Sequence, residues 1–301
     1  KTVANNKTVT VSGLSISGAD AVNYTLAAYS TTASITTKQI TATNITAAPK
    51  EYDQLLGATL SLGSAGLSGV IAGDNVSIVT SSATGAFGSK TVANNKTVTV
   101  SGLSLSGGDA ANYTLAAYTT TASITAKQLT ATNITALDKE YNQLLSATLS
   151  LGSAGLNGVI YGDTVNIVTS SATGAFATKT VANNKTVTVS GLSLSGGDAV
   201  NYTLAAYTTT ASITAKQLTA TNITAAPKEY DQLLGATLNV ASAGLSGVVS
   251  GDVVDIETGS ATGAFATKTV ANNKTVTVSG LSISGAVSYT HLRAHETGRN
   301  L

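Results

Sequence analysis

The stretch KTVANNKTVTVSGLSISG, residues 1–18, decides the organisation of this chain, because it returns three more times with at most one residue changed. The later copies begin at Lys90, Lys179 and Lys268, so the period is 89 residues each time, without an insertion or a deletion. Self-similarity at a fixed period is the signature of a tandem-repeat architecture. The sequence therefore predicts an array of equivalent structural units.

The same stretch predicts extended structure. Val9 and Val11 alternate with Thr, and Leu14 and Ile16 alternate with Ser. Alternation of apolar and polar residues is typical of a β-strand with one buried face. The phase changes by one residue at Gly13, which predicts a β-bulge in one long strand, because glycine readily takes the unusual dihedral angles of a bulge.

The period divides the chain into five segments. A new strand-like run begins at Lys38, so we place the start of a repeat there. The chain then begins and ends within a repeat, and we expect it to be part of a longer array. The predicted segments are the C-terminal half of a preceding repeat (1–37, the N-terminal segment), the first repeat (38–126), the second repeat (127–215), a truncated third repeat (216–285) and a non-native tail (286–301).

The composition excludes several classes of protein. Charged residues make up 10% of the chain, against about 25% in typical soluble domains. Each complete repeat carries four Lys and four acidic residues, so it lacks the basic surface that binds nucleic acids or anionic membranes. No apolar run reaches the ~18 residues of a transmembrane helix. The chain has no Cys, which excludes disulfides and thiolate metal sites.

Comparison of the repeats predicts a second strand. Residues 76–79, 165–168 and 254–257 keep an aliphatic residue at their first and third places, whereas the second and fourth places become Asp and Glu in the third repeat. This is the pattern of a strand with one buried and one solvated face. The only phenylalanines of the chain, one in each repeat, are expected in the cores: Phe87, Phe176 and Phe265.

Short strands separated by Gly-Asp turns predict an all-β fold class, namely a tandem array of small immunoglobulin-like β-sandwich domains. The 89-residue period is close to the ~100 residues of such a domain and longer than the ~20–45 of a solenoid repeat. Residues 32–36 lead into the run at Lys38 without a Gly- or Pro-rich linker. We therefore expect rigid joints between repeats and an elongated rod.

The tail differs from everything before it. Both histidines, His291 and His295, and both arginines, Arg293 and Arg299, lie in it. Residues 286–297, AVSYTHLRAHET, resemble the in-frame translation of a sequencing-library adapter. The competing interpretation is an encoded terminus whose two histidines, four residues apart, bind a metal ion from one helix face.

Five short motifs occur in a fixed order along the chain: KEYDQLLGATL, GVIAGD, GAF, KTVTVSGLSISGADAVNYTL and a closing ITTK. With them, residues 1–285 resemble the YDG-type repeats of large bacterial adhesins of the filamentous-haemagglutinin kind. The family's Tyr-Asp-Gly reads Tyr-Asp-Gln at Tyr52 and Tyr230 and Tyr-Asn-Gln at Tyr141, which weakens any role tied to the third position. The resemblance implies a repetitive extracellular part of a secreted or surface-attached adhesin, without catalytic residues.

The repeats offer little for catalysis or metal binding. They contain no His, Cys or Arg, so Ser-His-Asp and Cys-His constellations are excluded there. A carboxylate pair of Glu51 and Asp53 is broken in the second repeat by Asn142. We therefore expect no enzymatic activity and no cofactor. Asp20 and Asp74 leave a loop Ca²⁺ site open as an alternative to ordinary turns, although no loop concentrates the roughly six oxygen ligands that Ca²⁺ needs.

One polar-aromatic motif, Asp-Ala-x-Asn-Tyr, recurs and has two interpretations. As a ligand patch, its Tyr would stack on a glycan while its Asp and Asn form hydrogen bonds. As a structural element, which we favour, its Tyr would be wedged into a corner of the fold with its hydroxyl bonded to the backbone. Burial of the Tyr distinguishes the two. The residues are Asp20, Asn23, Tyr24, Asp109, Asn112, Tyr113, Asp198, Asn201 and Tyr202.

The sequence leads to two hypotheses of function. The first is a structural stalk or spacer of a large secreted or surface-attached bacterial adhesin, whose repeats contribute length and stiffness at the cell surface. The second is a repeated weak glycan- or protein-binding module that adheres through avidity. The predicted partners are neighbouring repeats of the same chain and, under the second hypothesis, glycans or proteins of a host or neighbouring cell.

Overall fold

The computed structural model describes residues 2–285. Its elements are β-strands and short 3₁₀ turns, with no α-helix in the described range. The predicted all-β architecture of tandem repeats is therefore confirmed. The predictions for the tail, an adapter-like stretch or a metal site at His291 and His295, lie outside the described residues. Between residues 2 and 285, no helix has the length and hydropathy needed to cross a membrane.

The strands recur with the period of the sequence. The N-terminal segment has β1 (Ala4–Val11), the 3₁₀ turn Ala21–Asn23 and β2 (Tyr29–Ile35). The first repeat has β3 (Lys38–Thr43), β4 (Thr46–Ala47), β5 (Lys50–Glu51), β6 (Gly57–Ala58), β7 (Leu60–Ser61), β8 (Gly66–Ser68), β9 (Ser77–Val79), β10 (Thr84–Phe87), β11 (Ala93–Ser101), β12 (Ser104–Ser106), the 3₁₀ turn Ala110–Asn112, β13 (Tyr113–Leu115) and β14 (Tyr118–Thr125).

The second repeat has the same series and the third repeat has part of it. The second comprises β15 (Lys127–Thr132), β16 (Thr135–Ala136), β17 (Lys139–Glu140), β18 (Ser146–Ala147), β19 (Leu149–Ser150), β20 (Gly155–Asn157), β21 (Asn166–Val168), β22 (Thr173–Phe176), β23 (Ala182–Ser190), β24 (Ser193–Ser195), the 3₁₀ turn Ala199–Asn201, β25 (Tyr202–Leu204) and β26 (Tyr207–Thr214). The third comprises β27 (Thr219–Thr221), β28 (Thr224–Ala225), β29 (Gly235–Ala236), β30 (Leu238–Asn239), β31 (Gly244–Ser246), β32 (Asp255–Glu257), β33 (Thr262–Phe265), β34 (Val276–Ser279) and β35 (Ser282–Ser284).

The chain folds into two compact units. The first comprises Lys1–Asn133, Ala154–Ser170 and Leu192–Ala206. The second comprises Ile134–Ser153, Ser171–Gly191 and Tyr207–Leu301, of which residues up to 285 are described. Different parts of the second repeat thus belong to different units, although its own strands pair with one another.

In the first unit, the first repeat builds a five-stranded sheet in the order β5-β14-β11-β10-β6. Its neighbours are antiparallel except β14 and β5, which are parallel with Ile124 opposite Lys50. The three-stranded sheet β13-β3-β8 also contains a parallel pair, with Tyr113 opposite Lys38. The second unit has the same five-stranded arrangement, β17-β26-β23-β22-β18. Because an immunoglobulin-like sandwich consists of antiparallel sheets, the immunoglobulin-like part of the prediction is not confirmed.

The long strand predicted through the opening stretch is divided into two strands by a glycine. In the first repeat this is Gly102, which has φ +78°, and a Cβ built on it would lie 2.1 Å from the carbonyl oxygen of Ser82. Only glycine fits this backbone and this close approach. β11 therefore pairs with β10, whereas β12 turns away and pairs with β9. The prediction of a bulge at the glycine is therefore wrong. The register shift lies between Ala93 and Lys96 instead, where β11 pairs with β14.

The second predicted strand is confirmed in all three repeats as β9, β21 and β32. Its central isoleucine is half-buried in each repeat, and the residue before it is exposed. The variation between repeats therefore follows the pleat of the strand, since successive side chains point to opposite faces.

The core of the first unit extends from the first repeat into the second. Phe87, Val98 and Ile124 of the first repeat cluster with Leu129 and Tyr202 of the second. Each of these five residues is at most 5% exposed. Burial of this kind is the main source of folding free energy, so the two repeats stabilise each other through a shared core rather than through a linker.

The phenylalanines lie where the sequence predicted in two of the three repeats. Phe87 and Phe176 are buried, and an ammonium group covers each ring, with Lys50 Nζ 5.7 Å from the first centroid and Lys139 Nζ 5.3 Å from the second. Phe265 is only half-buried in the third repeat. The prediction of a core Phe is therefore confirmed for the first two repeats and wrong for the third.

Substitution of Phe176 by Ala should destabilise the second unit by about 3–5 kcal/mol, because it removes buried surface and leaves a cavity. Phe265→Ala is the matched control, since Phe265 occupies the same place in an identical TGAF strand but is half-buried. The control should cost clearly less. Urea titrations followed by circular dichroism measure both, and equal costs would contradict the core assignment of Phe176.

Candidate functional site

The Asp-Ala-x-Asn-Tyr motif fastens a neighbouring loop of its own repeat. In the first repeat, the Asp109 carboxylate accepts a hydrogen bond from the backbone N–H of Asn75 at 2.9 Å. The Tyr113 hydroxyl donates to Asp74 Oδ2 at 2.5 Å and accepts from the backbone N–H of Ile71 at 3.1 Å. A 3₁₀ turn between Asp109 and Tyr113 sets the spacing of the two side chains. The motif thus holds the Gly-Asp loop through both side chains.

The second repeat has the same fastening. The Asp198 carboxylate accepts from the backbone N–H of Thr164 at 2.9 Å. The Tyr202 hydroxyl donates to Asp163 Oδ2 at 2.5 Å and accepts from the backbone N–H of Ile160 at 3.1 Å. Because both copies use their Asp and Tyr in equal geometry, the arrangement is a property of the motif.

The Asn of the motif reaches the preceding repeat. Asn201 Oδ1 accepts a hydrogen bond from the backbone N–H of Val92 at 3.0 Å, and Asn112 Oδ1 accepts one from Val3 at 3.0 Å. Asn201 is 3% exposed. A buried amide is costly unless it is hydrogen-bonded, so this contact matters for the stability of the joint between successive repeats.

The Tyr-Asp-Gln motif of the first repeat meets the same loop of the second repeat. Tyr52 donates its hydroxyl hydrogen bond to Asp163 Oδ1 at 3.4 Å, and Gln54 Nε2 donates to the same oxygen at 2.5 Å. Gln54 Nε2 also lies 3.3 Å from the Tyr161 carbonyl oxygen. The Tyr52 and Tyr202 rings pack edge to face with centroids 5.5 Å apart. We call Tyr52, Gln54, Asp163, Asn201 and Tyr202 the junction cluster.

The backbone at the third position of the motif explains the family's glycine. Gln54, Gln143 and Gln232 have φ of +66°, +64° and +64°, in the left-handed region that glycine adopts without strain. A residue with a Cβ loses about 1–2 kcal/mol there. In exchange, Gln54 places an amide donor on Asp163. The glutamine that replaces the family's glycine, which we expected to weaken any role of this position, is therefore the residue that contacts the next repeat.

The contact recurs in the second unit. Tyr141 donates to Asp252 Oδ1 at 3.2 Å, and Gln143 Nε2 donates to the same oxygen. Asn142 replaces the Asp of the motif and still accepts from Lys139 Nζ at 2.9 Å and from the Leu144 N–H at 3.1 Å. The neutral amide of Asn142 thus accepts the hydrogen bonds that a carboxylate accepts at this position in the first repeat, and these bonds stabilise the turn.

The tyrosines that donate hydrogen bonds to the loop aspartates are held in their neutral form. Burial, together with the Asp163 carboxylate, raises the pKa of Tyr52 and of Tyr202 to about 12. The pKa of Tyr141 is raised for the same reasons, with Asp252 as its partner. The hydrogen bond to Asp74 raises the pKa of Tyr113. Neutral phenols donating to carboxylates form a hydrogen-bonded joint rather than a nucleophile.

The predicted ligand patch has two environments. Tyr113 and Tyr202 are buried, whereas Tyr24 of the N-terminal segment is 72% exposed. Asp20 and Asn23 are exposed as well. A stacking platform needs a free ring face, which the described structure offers at Tyr24 alone of these three tyrosines.

Of the loop aspartates considered for Ca²⁺, Asp74 and its counterpart Asp163 are engaged within the protein, whereas Asp20 is exposed. Asp74 accepts from Tyr113, and Asp163 accepts from Tyr52, Gln54 and Tyr202. Within residues 2–285, no three His, Cys, Asp or Glu side chains are grouped so that they could hold a metal ion.

Comparison with known families gives three matches along the chain. A family model described as the YDG domain matches residues 36–122, 125–211 and 214–294. The matches follow one another at the period of the sequence and agree with the resemblance to YDG-type repeats stated above. The same comparisons matched the chain to no protein of curated function and to no solved structure.

Replacing Gln54 by Gly should destabilise the first unit, because the lost hydrogen bonds to Asp163 and Tyr161 outweigh the relief of backbone strain. Gln232→Gly is the matched control, since its φ is +64° and none of the described residues is hydrogen-bonded to its side chain. The control should stabilise the protein by up to ~2 kcal/mol, because it relieves the same backbone strain without losing a hydrogen bond, and the difference between the two free energies of unfolding should be about 1.5 kcal/mol or more. Urea titration measures both, and equal effects would remove Gln54 from the junction.

Alkaline pH should weaken the junction. The folded-state pKa of Tyr52 and Tyr202 is about 12, above the ordinary 10.0, so their contribution is complete below pH 10.0 and is lost as the pH rises towards 12, because the unfolded tyrosines release protons first. Urea midpoints between pH 8 and 11.5 measure this. Tyr202→Phe should flatten the fall, because it removes one of the two tyrosines whose pKa is raised. An unchanged slope in Tyr202→Phe would contradict the assignment.

Proposed function

This chain belongs to the YDG domain family, and from that premise we propose that it is a structural stalk or spacer of a large secreted or surface-attached bacterial adhesin. The observation that carries the proposal is the use of the Asp-Ala-x-Asn-Tyr motif in the two complete repeats. Tyr113 and Tyr202 are buried and hydrogen-bonded, and Asn201 bonds to the preceding repeat. The Asp-Ala-x-Asn-Tyr motif thus stabilises the repeats and the joint between them.

A spacer must carry its partner away from a surface without bending freely at each joint. The joint in the first unit supports this role, because it combines a shared apolar core with the junction cluster. In the second unit, Tyr141 and Gln143 contact Asp252 in the equivalent way. Flexible Gly/Ser linkers would behave as random coils, and the chain has none between repeats. The elongated rod and the boundaries 38–126 and 127–215 are part of this proposal.

The proposed stalk works without catalysis or a cofactor, at the outer face of a bacterial cell. Its repeats contain no His, Cys or Arg, so the common nucleophilic constellations are unavailable to them. Its work is mechanical, and its main partners are the neighbouring repeats of the same chain.

A second candidate is a repeated weak glycan- or protein-binding module. It is favoured by an exposed leucine that recurs in every repeat, namely Leu55, Leu144 and Leu233, which are 64%, 57% and 65% exposed. Exposed apolar side chains at a fixed period would present equal contact points, and linked weak contacts gain affinity through effective concentration.

The purified chain distinguishes these candidates in two measurements. As a stalk, it should have a radius of gyration well above the ~19 Å expected of a compact chain of its length, measured by small-angle X-ray scattering. Beads coated with it should bind cultured host cells and glycan arrays no better than beads coated with an unrelated neutral protein. A compact radius would contradict the stalk.

The leucines provide the matched variant for the second candidate. If coated beads adhere, the triple variant Leu55→Asp, Leu144→Asp and Leu233→Asp should abolish adhesion. Val22→Asp, at an exposed residue that is replaced by Ala111 in the first repeat, should preserve it. That outcome would replace the stalk by the adhesive module. Adhesion that neither variant changes would contradict both the stalk, which should not adhere, and an adhesive surface formed by the three leucines.

A further inference from the structure

The loop that holds the Gly-Asp turn begins, in each repeat, with a glycine that the backbone requires. Gly69, Gly158 and Gly247 directly follow β8, β20 and β31 and have φ of +95°, +99° and +98°. A residue with a Cβ is strained at such positive φ values, whereas glycine is not. The fold therefore fixes the glycine, while the residue before it can vary.

The residue before this glycine is reactive in the second repeat alone. The first and third repeats have Ser68 and Ser246 there, whereas the second has Asn157. Asn157-Gly158 is the only Asn-Gly step in the whole sequence. The Asn157 side chain is exposed, and none of the described residues is hydrogen-bonded to it. Its amide is thus open to the solvent beside the one residue type that best permits its conversion.

An asparagine followed by glycine can lose its amide nitrogen without an enzyme. The backbone nitrogen of Gly158 bonds to Cγ of Asn157, the Cγ–Nδ2 bond breaks, and ammonia leaves with the proton of the Gly158 N–H. Solvent water then opens the resulting succinimide ring, giving aspartate when it attacks Cγ and isoaspartate when it attacks the backbone carbonyl carbon. The net change is the gain of one water and the loss of one ammonia. Glycine favours the first step because it has no Cβ beside the attacking nitrogen.

We propose that Asn157-Gly158 is a site of spontaneous covalent modification, at which the second repeat converts to isoaspartate and thereby loosens its joint with the first repeat. Asparagine is a thermolabile residue in general, and the chain places this reactive copy next to the junction cluster. The inference goes beyond the proposed stalk and does not depend on it.

The position of Asn157 in its strand permits the reaction in the folded protein. Asn157 is the last residue of β20, a strand of three residues, and lies opposite Thr130 of β15. The ends of short strands open locally at a much smaller cost in free energy than global unfolding. The Asn157 side chain and the Gly158 nitrogen can therefore meet while the rest of the unit stays folded.

The conversion disturbs the core at Gly158. In isoaspartate the chain continues through the former side chain, so the backbone between the Cα of residue 157 and Gly158 is longer by one methylene. The space at Gly158 is tight, because a Cβ built on it would lie 3.3 Å from Cδ2 of Leu129. Leu129 is fully buried in the core that the two repeats share. The longer backbone must displace either Leu129 or the loop that begins at Gly158.

The same loop carries contacts of the joint. The Ile160 N–H donates to the Tyr202 hydroxyl, and the Tyr161 carbonyl oxygen lies 3.3 Å from Gln54 Nε2. Asp163 accepts from Gln54 and from Tyr202. A displacement of the loop is therefore transmitted to the junction cluster. Because the equivalent loops follow serine, the reaction is specific to the joint between the first and second repeats.

Mass spectrometry of the aged protein tests the site. The purified chain is kept at 37 °C and pH 8 and is then digested with trypsin, which releases residues 140–179 as one peptide because no Lys or Arg lies between Lys139 and Lys179. The expected result is a mass gain of about one dalton that fragmentation assigns to Asn157. The isoaspartyl form of the peptide should also separate chromatographically from the aspartyl form.

Asn166 is the internal control in the same peptide. It is exposed as well, but it precedes Ile167, whose branched Cβ hinders the backbone nitrogen. Asn157 should convert at least about tenfold faster than Asn166, because glycine lacks this hindrance. Asn157→Ser, with the residue of the other two repeats, should remove the reaction and keep the fold. Equal rates at the two asparagines would overturn the proposal.

Urea titration tests the effect on the joint. Ion exchange isolates the converted protein, since it has gained a carboxylate. This protein should unfold at a lower urea concentration than the Asn157→Asp variant, which has the same charge but a backbone of normal length. Equal midpoints would overturn the proposed loosening.

A Gln54→Gly chain shows whether the loss of stability arises at the junction cluster. In this chain the contact between Gln54 and the loop is already absent, so the loss of stability on conversion should be clearly smaller than in the unsubstituted chain. Two changes that act on one contact are not additive. A loss of equal size in both chains would place the effect outside the joint and would overturn this part of the proposal.

Discussion

The carboxylate of Asp163 accepts hydrogen bonds from two successive repeats, and the joint depends on it. Tyr202 donates from its own repeat, while Tyr52 and Gln54 donate from the preceding one. A partly buried charge with missing partners would be costly, and Asp163 has its full set of donors only when both repeats are in place. Within the described residues, no buried side-chain polar atom is left without a partner. Folding of each repeat is thereby coupled to that of its neighbour.

This coupling explains why equal sequences have unequal environments. Tyr24 and Tyr113 belong to the same motif, yet the first is exposed and the second is buried. Phe176 and Phe265 end identical strands, yet only the first is fully buried. In a repeat array, stability is the sum of an intrinsic part and an interface part. The YDG repeats of this chain follow that rule, with a large share of the core, including Leu129 and Tyr202, placed at the interface.

The candidate site could be foreseen in part. Recurrence of the Asp-Ala-x-Asn-Tyr motif indicated a structural Tyr bonded to the backbone, and Tyr113 and Tyr202 do bond to a backbone N–H. Their stronger partners, Asp74 and Asp163, were not foreseen, nor was the contact of Gln54 with the next repeat. The available signal for this contact was that Gln54 stands where the family motif has glycine. It was not decisive because Gln54 and Asp163 are 109 residues apart, and no local pattern reports which distant segments meet.

The sequence by itself determined the 89-residue period, the all-β character and the inward side chains of β9, β21 and β32. These follow from spacing along the chain, since a strand alternates its side chains with a period of two. Only the tertiary structure decided the parallel pairing of β13 with β3, the separation of β11 from β12 at Gly102, and the junction cluster. The reason is physical: alternation specifies which face of a strand is buried, whereas the identity of its neighbour depends on the packing of the whole repeat against the next one.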